Sequence, residues 1–200
     1  MNKFENYLYF RKFDKLCQNP NKVSNKYFKW FCNKYYAFIK CYALPLEKYH
    51  GYGHLIETVI FALYLSNFVD LTDTQKYDLI QACAFHDIKR NNEESHGLDS
   101  INFIDSLNLF SCNTYVREAI IEHSNNTPTN NILLKLLRDA DRIRLSWERG
   151  FNQKYFSSKE AMEIAQLPLE KQREFLNFLL NWLQNYVEKL CLPWYSLIKS

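Results

Sequence analysis

The sequence predicts an all-α protein, and three observations carry that prediction. Glycine and proline are scarce, 4 and 5 in 200 residues, where average usage would give about fourteen and ten. That is too few for the turns of a β-sandwich or the glycine loops of a nucleotide-binding α/β fold. Apolar residues recur at steps of three and four through much of the chain, the period of a helix with one buried face. Thr72 with Gln75, and Ser157 with Glu160, have the spacing of helix capping boxes.

Taken in order, the first 45 residues read as aromatic-rich helical material broken near Pro20 and ending at Leu44-Pro45-Leu46. From Gly53 onward, His54, Leu55, Val59, Ala62 and Leu63 follow helical spacing and predict an amphipathic helix. The Thr72 cap opens a second helix that runs through Leu79, Ala82 and Cys83 to His86 and Asp87. A polar stretch, Lys89 to Ser95, precedes a third from His96 to Leu109. Asn113 caps a fourth from Tyr115 to His123. The loop Ser124 to Thr129 leads to a helix from Ile132 to Trp147. Ser157 caps a short helix, and Leu169 to Leu190 forms a long amphipathic one ending before Pro193. Its Leu176, Phe178, Leu179, Trp182 and Leu183 supply apolar surface for packing on the domain or on a second copy in a homodimer.

At 47% hydrophobic and 24% charged residues, the composition excludes a disordered or fibrous protein. The net charge of +3 declares no partner, but residues 1–50 hold ten Lys/Arg and three Asp/Glu, leaving −4 for the remainder. That imbalance fits a solvated helical face, and also a basic face for an anionic substrate, RNA or a lipid surface. Six cysteines form no C-x-x-C pair, which fits free buried thiols in a reducing compartment. Charges interrupt the apolar runs of the N-terminus, and no stretch reaches the length of a membrane span. A cytoplasmic location without a membrane partner is the expectation.

The chemistry-bearing residues begin with His86 and Asp87 at the end of an apolar helix. Adjacent imidazole and carboxylate groups are costly there unless hydrogen bonds or a cation compensate them. Alone the pair reads as a hydrogen-bonded helix end. His54 opens the helix before it, His123 ends one after it, and Asp141 lies in the next, which is how a helical bundle assembles a metal site. Taken singly, His123 reads as a satisfied core histidine and His96 as a helix-capping surface residue.

Periodicity chooses between Asp139 and Asp141. With Leu133 at 0° and about 100° per residue, Asp141 falls at about 80°, inside the apolar arc, and Asp139 at about 240°, outside it. Arg144, at about 20°, also points inward and is a candidate either for a substrate phosphate or for an internal salt bridge.

The order His54, His86-Asp87, His96, His123, Asp141 resembles the HD superfamily of metal-dependent phosphohydrolases. The likeness covers residues 50 to about 147. It rests on His50-Gly51-Tyr52-Gly53-His54, Phe85-His86-Asp87-Ile88, Asn92-Glu93-Glu94-Ser95-His96, Ile120-Ile121-Glu122-His123-Ser124 and Arg138-Asp139-Ala140-Asp141-Arg142-Ile143. It implies a helical HD-domain bundle with extra N- and C-terminal helices: one domain over 1–200, with a core of about 25–150 and a C-terminal helical extension, 151–200. It implies His54, His86, Asp87 and Asp141 as ligands of one divalent ion, and His96 and His123 as completing a second site bridged by Asp87. The family often has a second acidic residue where this chain has Arg144. Ile88-Lys89-Arg90 differs from the acidic pair of the guanosine-tetraphosphate hydrolases, and the Gly-Tyr-Pro motif of the cyclic-dinucleotide subgroup is missing.

The expected activity is hydrolysis of a phosphomonoester or phosphodiester, with a nucleotide the first choice and nucleic acid less favoured, by a hydroxide activated by two ions among Mn, Fe, Co, Ni and Zn. Lys89, Arg90 and Arg144 are candidate phosphate contacts, and Glu94 a candidate acid for the leaving group beside the catalytic Asp87. His50, one helical turn before His54, is a candidate substrate contact or support for a ligand. Two other readings use the same residues: a di-iron oxygenase of a small hydroxylated substrate, and a nonenzymatic binding module in which the centre only holds the fold.

Overall fold

The computed structural model describes residues 26–43, 50–90 and 95–188, with side chains as far as residue 179, and these residues are all-α with no strand among them. The chain divides into two compact units, Ile39–Gln172 and Met1–Phe38 together with Arg173–Ser200.

The described part of the aromatic N-terminal segment, residues 26–42, is helical as expected. Helix α1 (Lys26–Phe31) buries Phe28 and Phe31 and passes through a π-helical turn, Cys32–Tyr36, into α2 (Ala37–Tyr42). Trp30 meets Tyr35 edge to face at 5.0 Å, and Lys34 Nζ sits 4.8 Å from the Trp30 ring. The predicted breaks near Pro20 and at Leu44-Pro45-Leu46 lie outside the described residues.

In the unit Ile39–Gln172, α3 (Tyr52–Leu65) leads to α4 (Asp73–Phe85), α5 (His96–Leu107), α6 (Thr114–Glu122), α7 (Ile132–Arg149) and the short α8 (Lys159–Ala165). Helix α7 packs against α3, α4, α6 and α8, and α3 also packs on α4. The helices α3 and α7 run parallel: His54 pairs with Asp141, Glu57 with Arg144, and Phe61 with Trp147. The expectation that α3 is amphipathic gives way to a helix buried without a break from Gly53 to Leu63, because its own apolar residues are distributed all round the helix.

Two predicted caps form. Thr72 Oγ1 accepts from the Gln75 backbone N–H at 3.2 Å while Gln75 Oε1 accepts from the Thr72 N–H at 2.9 Å. Asn113 accepts from Val116 N at 3.0 Å. The third is displaced by one residue: Ser158, not Ser157, caps α8 through Ala161 N. Asp139 is the reason. It accepts from the Ser157 N–H at 2.7 Å, the Ser158 N–H at 2.9 Å and the Ser158 hydroxyl at 2.7 Å, which fixes the entry to α8. Helical periodicity sets Asp139 off the apolar arc, yet it is 1% exposed, since α8 covers that face of α7.

Helix α9 (Leu169–Glu188) buries Leu176 and Leu179, but Phe178 is exposed, so the predicted stripe is narrower than its sequence suggests. The side chains of Trp182 and Leu183 lie outside the described residues. Cys32, Cys41, Cys83 and Cys112 are all free; Cys32 and Cys83 are buried, whereas Cys41 is exposed, against the expectation of burial. No helix of the described residues is long and apolar enough to cross a membrane.

Candidate metal centre

Three helices and two helix-ending turns carry the cluster. His54 lies in the first turn of α3, His86 and Asp87 in the turn that ends α4, His96 at the start of α5, His123 at the end of α6, and Asp141 in the middle of α7. All six are buried, from 0% exposed for His86 to 6% for Asp141.

Asp87 stands at the middle. Its Oδ1 lies 3.4 Å from His96 Nε2 and 3.5 Å from His123 Nε2, and its Oδ2 lies 3.8 Å from His86 Nε2 and 4.0 Å from His54 Nε2. On one side, His54 Nε2 is 3.2 Å from His86 Nε2 and 2.9 Å from Asp141 Oδ1. On the other, His96 Nε2 is 2.9 Å from His123 Nε2. Two groups of inward-facing atoms therefore share one carboxylate.

The chain fixes which ring nitrogens face inward. His86 Nδ1 is 2.9 Å from the Cys83 carbonyl and His123 Nδ1 is 2.6 Å from that of Ile120. A carbonyl only accepts, so each Nδ1 carries a proton and each ring turns its Nε2 into the cluster. This is the second bond that metal-binding histidines ordinarily make. Paired nitrogens at 2.9 and 3.2 Å are spaced like neighbouring ligands of one cation, whose nitrogens at about 2.0–2.1 Å from the ion lie about 3 Å apart. Asp141 Oδ1, despite its nearness to His54, is buried without a hydrogen-bond partner, and so is His54 Nδ1. Converging imidazole and carboxylate atoms, with Asp141 Oδ1 left without a hydrogen bond, fit a cation, and the buried His/Asp groups can hold a metal ion.

Electrostatics agree with the geometry. Burial opposes the ionisation of Asp87, yet His86, His123 and His50 outweigh it and hold the carboxyl well below its usual range. Asp141 likewise stays ionised against burial because His54 and His86 flank it. Burial lowers the pKa of His54 below the usual histidine value. Burial would lower His86 too, but the Asp87 and Asp141 carboxylates raise it.

The Asp87 carboxylate is gripped from outside the cluster. His50 Nδ1 donates to Oδ2 at 2.8 Å, and Arg90 Nη1 lies 3.2 Å from both oxygens. Lys89 is exposed, with Nζ 5.6 Å from the Phe103 ring. Arg144 points inward as periodicity requires, but its guanidinium is held by Glu57 at 3.2 Å and Glu148 at 2.6 Å. Of the two uses open to it, the internal salt bridge is the one formed. Glu94, like Glu93, lies outside the described residues.

Several supporting residues escape sequence reasoning. Ser100, one turn after His96, is fully buried; its hydroxyl accepts from the Lys89 N–H at 3.2 Å and lies 3.1 Å from the His86 carbonyl, tying the His86-Asp87 turn to α5. Its place four residues after His96 is the signal that identifies it. A Cβ at Gly97 would lie 2.3 Å from the Ile120 carbonyl oxygen. Only glycine lets α5 approach α6 closely enough to bring His96 against His123. The chain matches no protein-family model, no curated protein and no solved structure.

Proposed function

We propose that the chain is an HD-type metal-dependent phosphohydrolase that binds two divalent ions and cleaves a small phosphomonoester or phosphodiester, a nucleotide first among them. The observation that supports this most is the setting of Asp87, one oxygen toward His96 and His123 and the other toward His54 and His86. A carboxylate with both oxygens directed at different imidazole pairs is suited to bridge two cations. Imidazole and carboxylate donors suit Mn, Fe, Co, Ni or Zn.

When bound, such ions supply Lewis acidity toward a phosphoryl oxygen and toward water. The chain supplies the rest. His50 and Arg90 hold the Asp87 carboxylate so that its oxygens stay divided between the two imidazole pairs. The Cys83 and Ile120 carbonyls hold the rings of His86 and His123 with Nε2 inward. Lys89, exposed two residues beyond Asp87, is the proposed phosphate contact, because Arg90 is committed to Asp87 and Arg144 to two glutamates. Protonation of the leaving group is assigned to Glu94 within this reading.

Elemental analysis of the purified chain, with phosphomonoesters and phosphodiesters of nucleotides assayed in air and without oxygen, tests the proposal. Two divalent ions per chain and oxygen-independent phosphate release are expected. A protein without metal overturns the reading, and turnover that requires iron and oxygen replaces it with the oxygenase.

A further inference from the structure

We propose that Arg142 is a positioning residue for the His96/His123 half of the centre, an inference that rests on the two-ion reading above. His123 follows the last residue of α6, where helix carbonyls lose their intrahelical partners and a chain end frays unless other groups bind them. The next residues, Ser124 to Asn131, are not helical. A ligand placed there needs an external anchor.

Helix α7 provides it. Arg142 Nη2 donates to the His123 carbonyl at 3.3 Å and to that of Asn125 at 3.1 Å, while Nη1 donates to Tyr155 O at 2.6 Å. The guanidinium also lies 5.6 Å from the Tyr155 ring centre. One turn earlier, Arg138 binds the Glu122 carbonyl at 2.9 Å and that of Thr127 at 2.7 Å. Two arginines thus collect the carbonyls before, at and after His123, but Arg142 alone binds His123 itself. A planar fork with five donors can span three carbonyls; the point charge of a lysine cannot.

The neighbour of Arg142 is Asp141, whose carboxylate meets His54 in the other half of the cluster. Consecutive residues of α7 therefore serve the two halves, one by facing the ligand atoms and the other by fixing the backbone of a ligand. The ring of His123 is already oriented by Ile120 O; Arg142 adds the position of its backbone.

The test counts ions retained by the metal-loaded full-length chain against a graded chelator, with elemental analysis, for the wild type, Arg142→Met, Arg142→Lys, His123→Ala and the double variant Arg142→Met/His123→Ala. Arg142→Met should release one ion at about 10–100-fold lower chelator concentration and keep the other at the wild-type midpoint. His123→Ala should release the same ion, and the double variant should be no worse than His123→Ala. Arg142→Lys, which keeps the charge but not the fork, should fall between. Retention of both ions by Arg142→Met, or equal weakening of both, overturns the inference and leaves the two-ion reading standing. A wild type holding one ion, unaffected by His123→Ala, overturns it too. A wild type holding none overturns both.

Discussion

Two charged rungs cross between α3 and α7 one helical turn apart, and they solve the same physical problem in opposite ways. At the upper rung, Glu57 and Glu148 are joined by Arg144, so the chain supplies its own cation. At the lower, His54 and Asp141 face each other with His86 and Asp87 beside them, two ionised carboxylates among imidazoles, and among the described residues the arginine ion pair to them is that of Arg90, on the outer side of Asp87. Buried charge is costly unless paired. The upper rung has a guanidinium of its own, although Glu57 Oε1 and Glu148 Oε2 are left without a hydrogen bond; the His/Asp groups of the lower rung could hold a cation from outside. That difference distinguishes the two rungs more sharply than burial does, since both are buried.

Removing the shared carboxylate tests the lower rung with the largest effect. Asp87→Ala should abolish the binding of both ions and lower turnover by about a thousandfold or more, several kcal/mol of transition-state stabilisation. Ion content by elemental analysis and the rate of phosphate release measure it together. Loss of one ion with the other retained would show that Asp87 does not bridge.

Breaking the upper rung should cost stability and spare the ions. Arg144→Met leaves the Glu57 carboxylate, 2% exposed, facing Glu148 without a cation, and a buried pair deprived of one partner loses about 3–5 kcal/mol. Chemical denaturation of the loaded protein reports this. If the variant instead lost metal before it lost stability, the two rungs would be one functional unit and the contrast between them would fail.

How much of this was legible in the sequence follows the range of the forces involved. The caps at Thr72 and Asn113 depend on residues three positions apart, and periodicity within α7 was enough to turn Asp141 inward and to choose it over Asp139. Bringing His54, His86, Asp87, His96, His123 and Asp141 together needed the order of motifs along the chain, because no single segment contains the site. What stayed hidden arises where one element covers another. The burial of Asp139 depends on α8, and one partner of Arg144 is Glu57, the carboxylate of α3, whose significance appears only when α3 and α7 are seen to run parallel. The roles of Arg138 and Arg142 depend on backbone carbonyls, which every residue has and no composition reveals.

Gly97 sharpens the comparison from the far side of Asp87, where neither rung lies. Gly97→Ala would set a methyl group 2.3 Å from Ile120 O and 2.9 Å from Ile121 Cα. Both are backbone atoms and cannot rotate away, so α5 and α6 must separate, at a cost of about 3 kcal/mol. The Ile120 carbonyl that is displaced also accepts from His123 Nδ1. The variant should therefore lose the ion of the His96/His123 half while the lower rung keeps its own. Release of both ions at a single chelator concentration would mean that the halves are not separately built.

The smallest effect belongs to the titration of the upper rung. Burial pushes the Glu57 carboxyl from 4.5 up to about 7, with Arg144 opposing the rise and Glu148 adding to it. Between those values the unfolded chain has released the proton and the folded chain still holds it, so folding binds a proton and stability falls as pH rises from about 4.5 to about 7. Below that window the group is neutral in both states and its contribution is intact. Glu57→Gln keeps a neutral group of the same shape at every pH, and the wild type should lose about 2 kcal/mol relative to it between pH 5 and pH 8. Unfolding by urea at those two pH values, at fixed metal concentration, gives the difference directly. An equal stability difference at both pH values would place the Glu57 carboxyl in its ordinary range, making the upper rung a permanent ion pair and removing proton uptake from the physics of the α3–α7 contact.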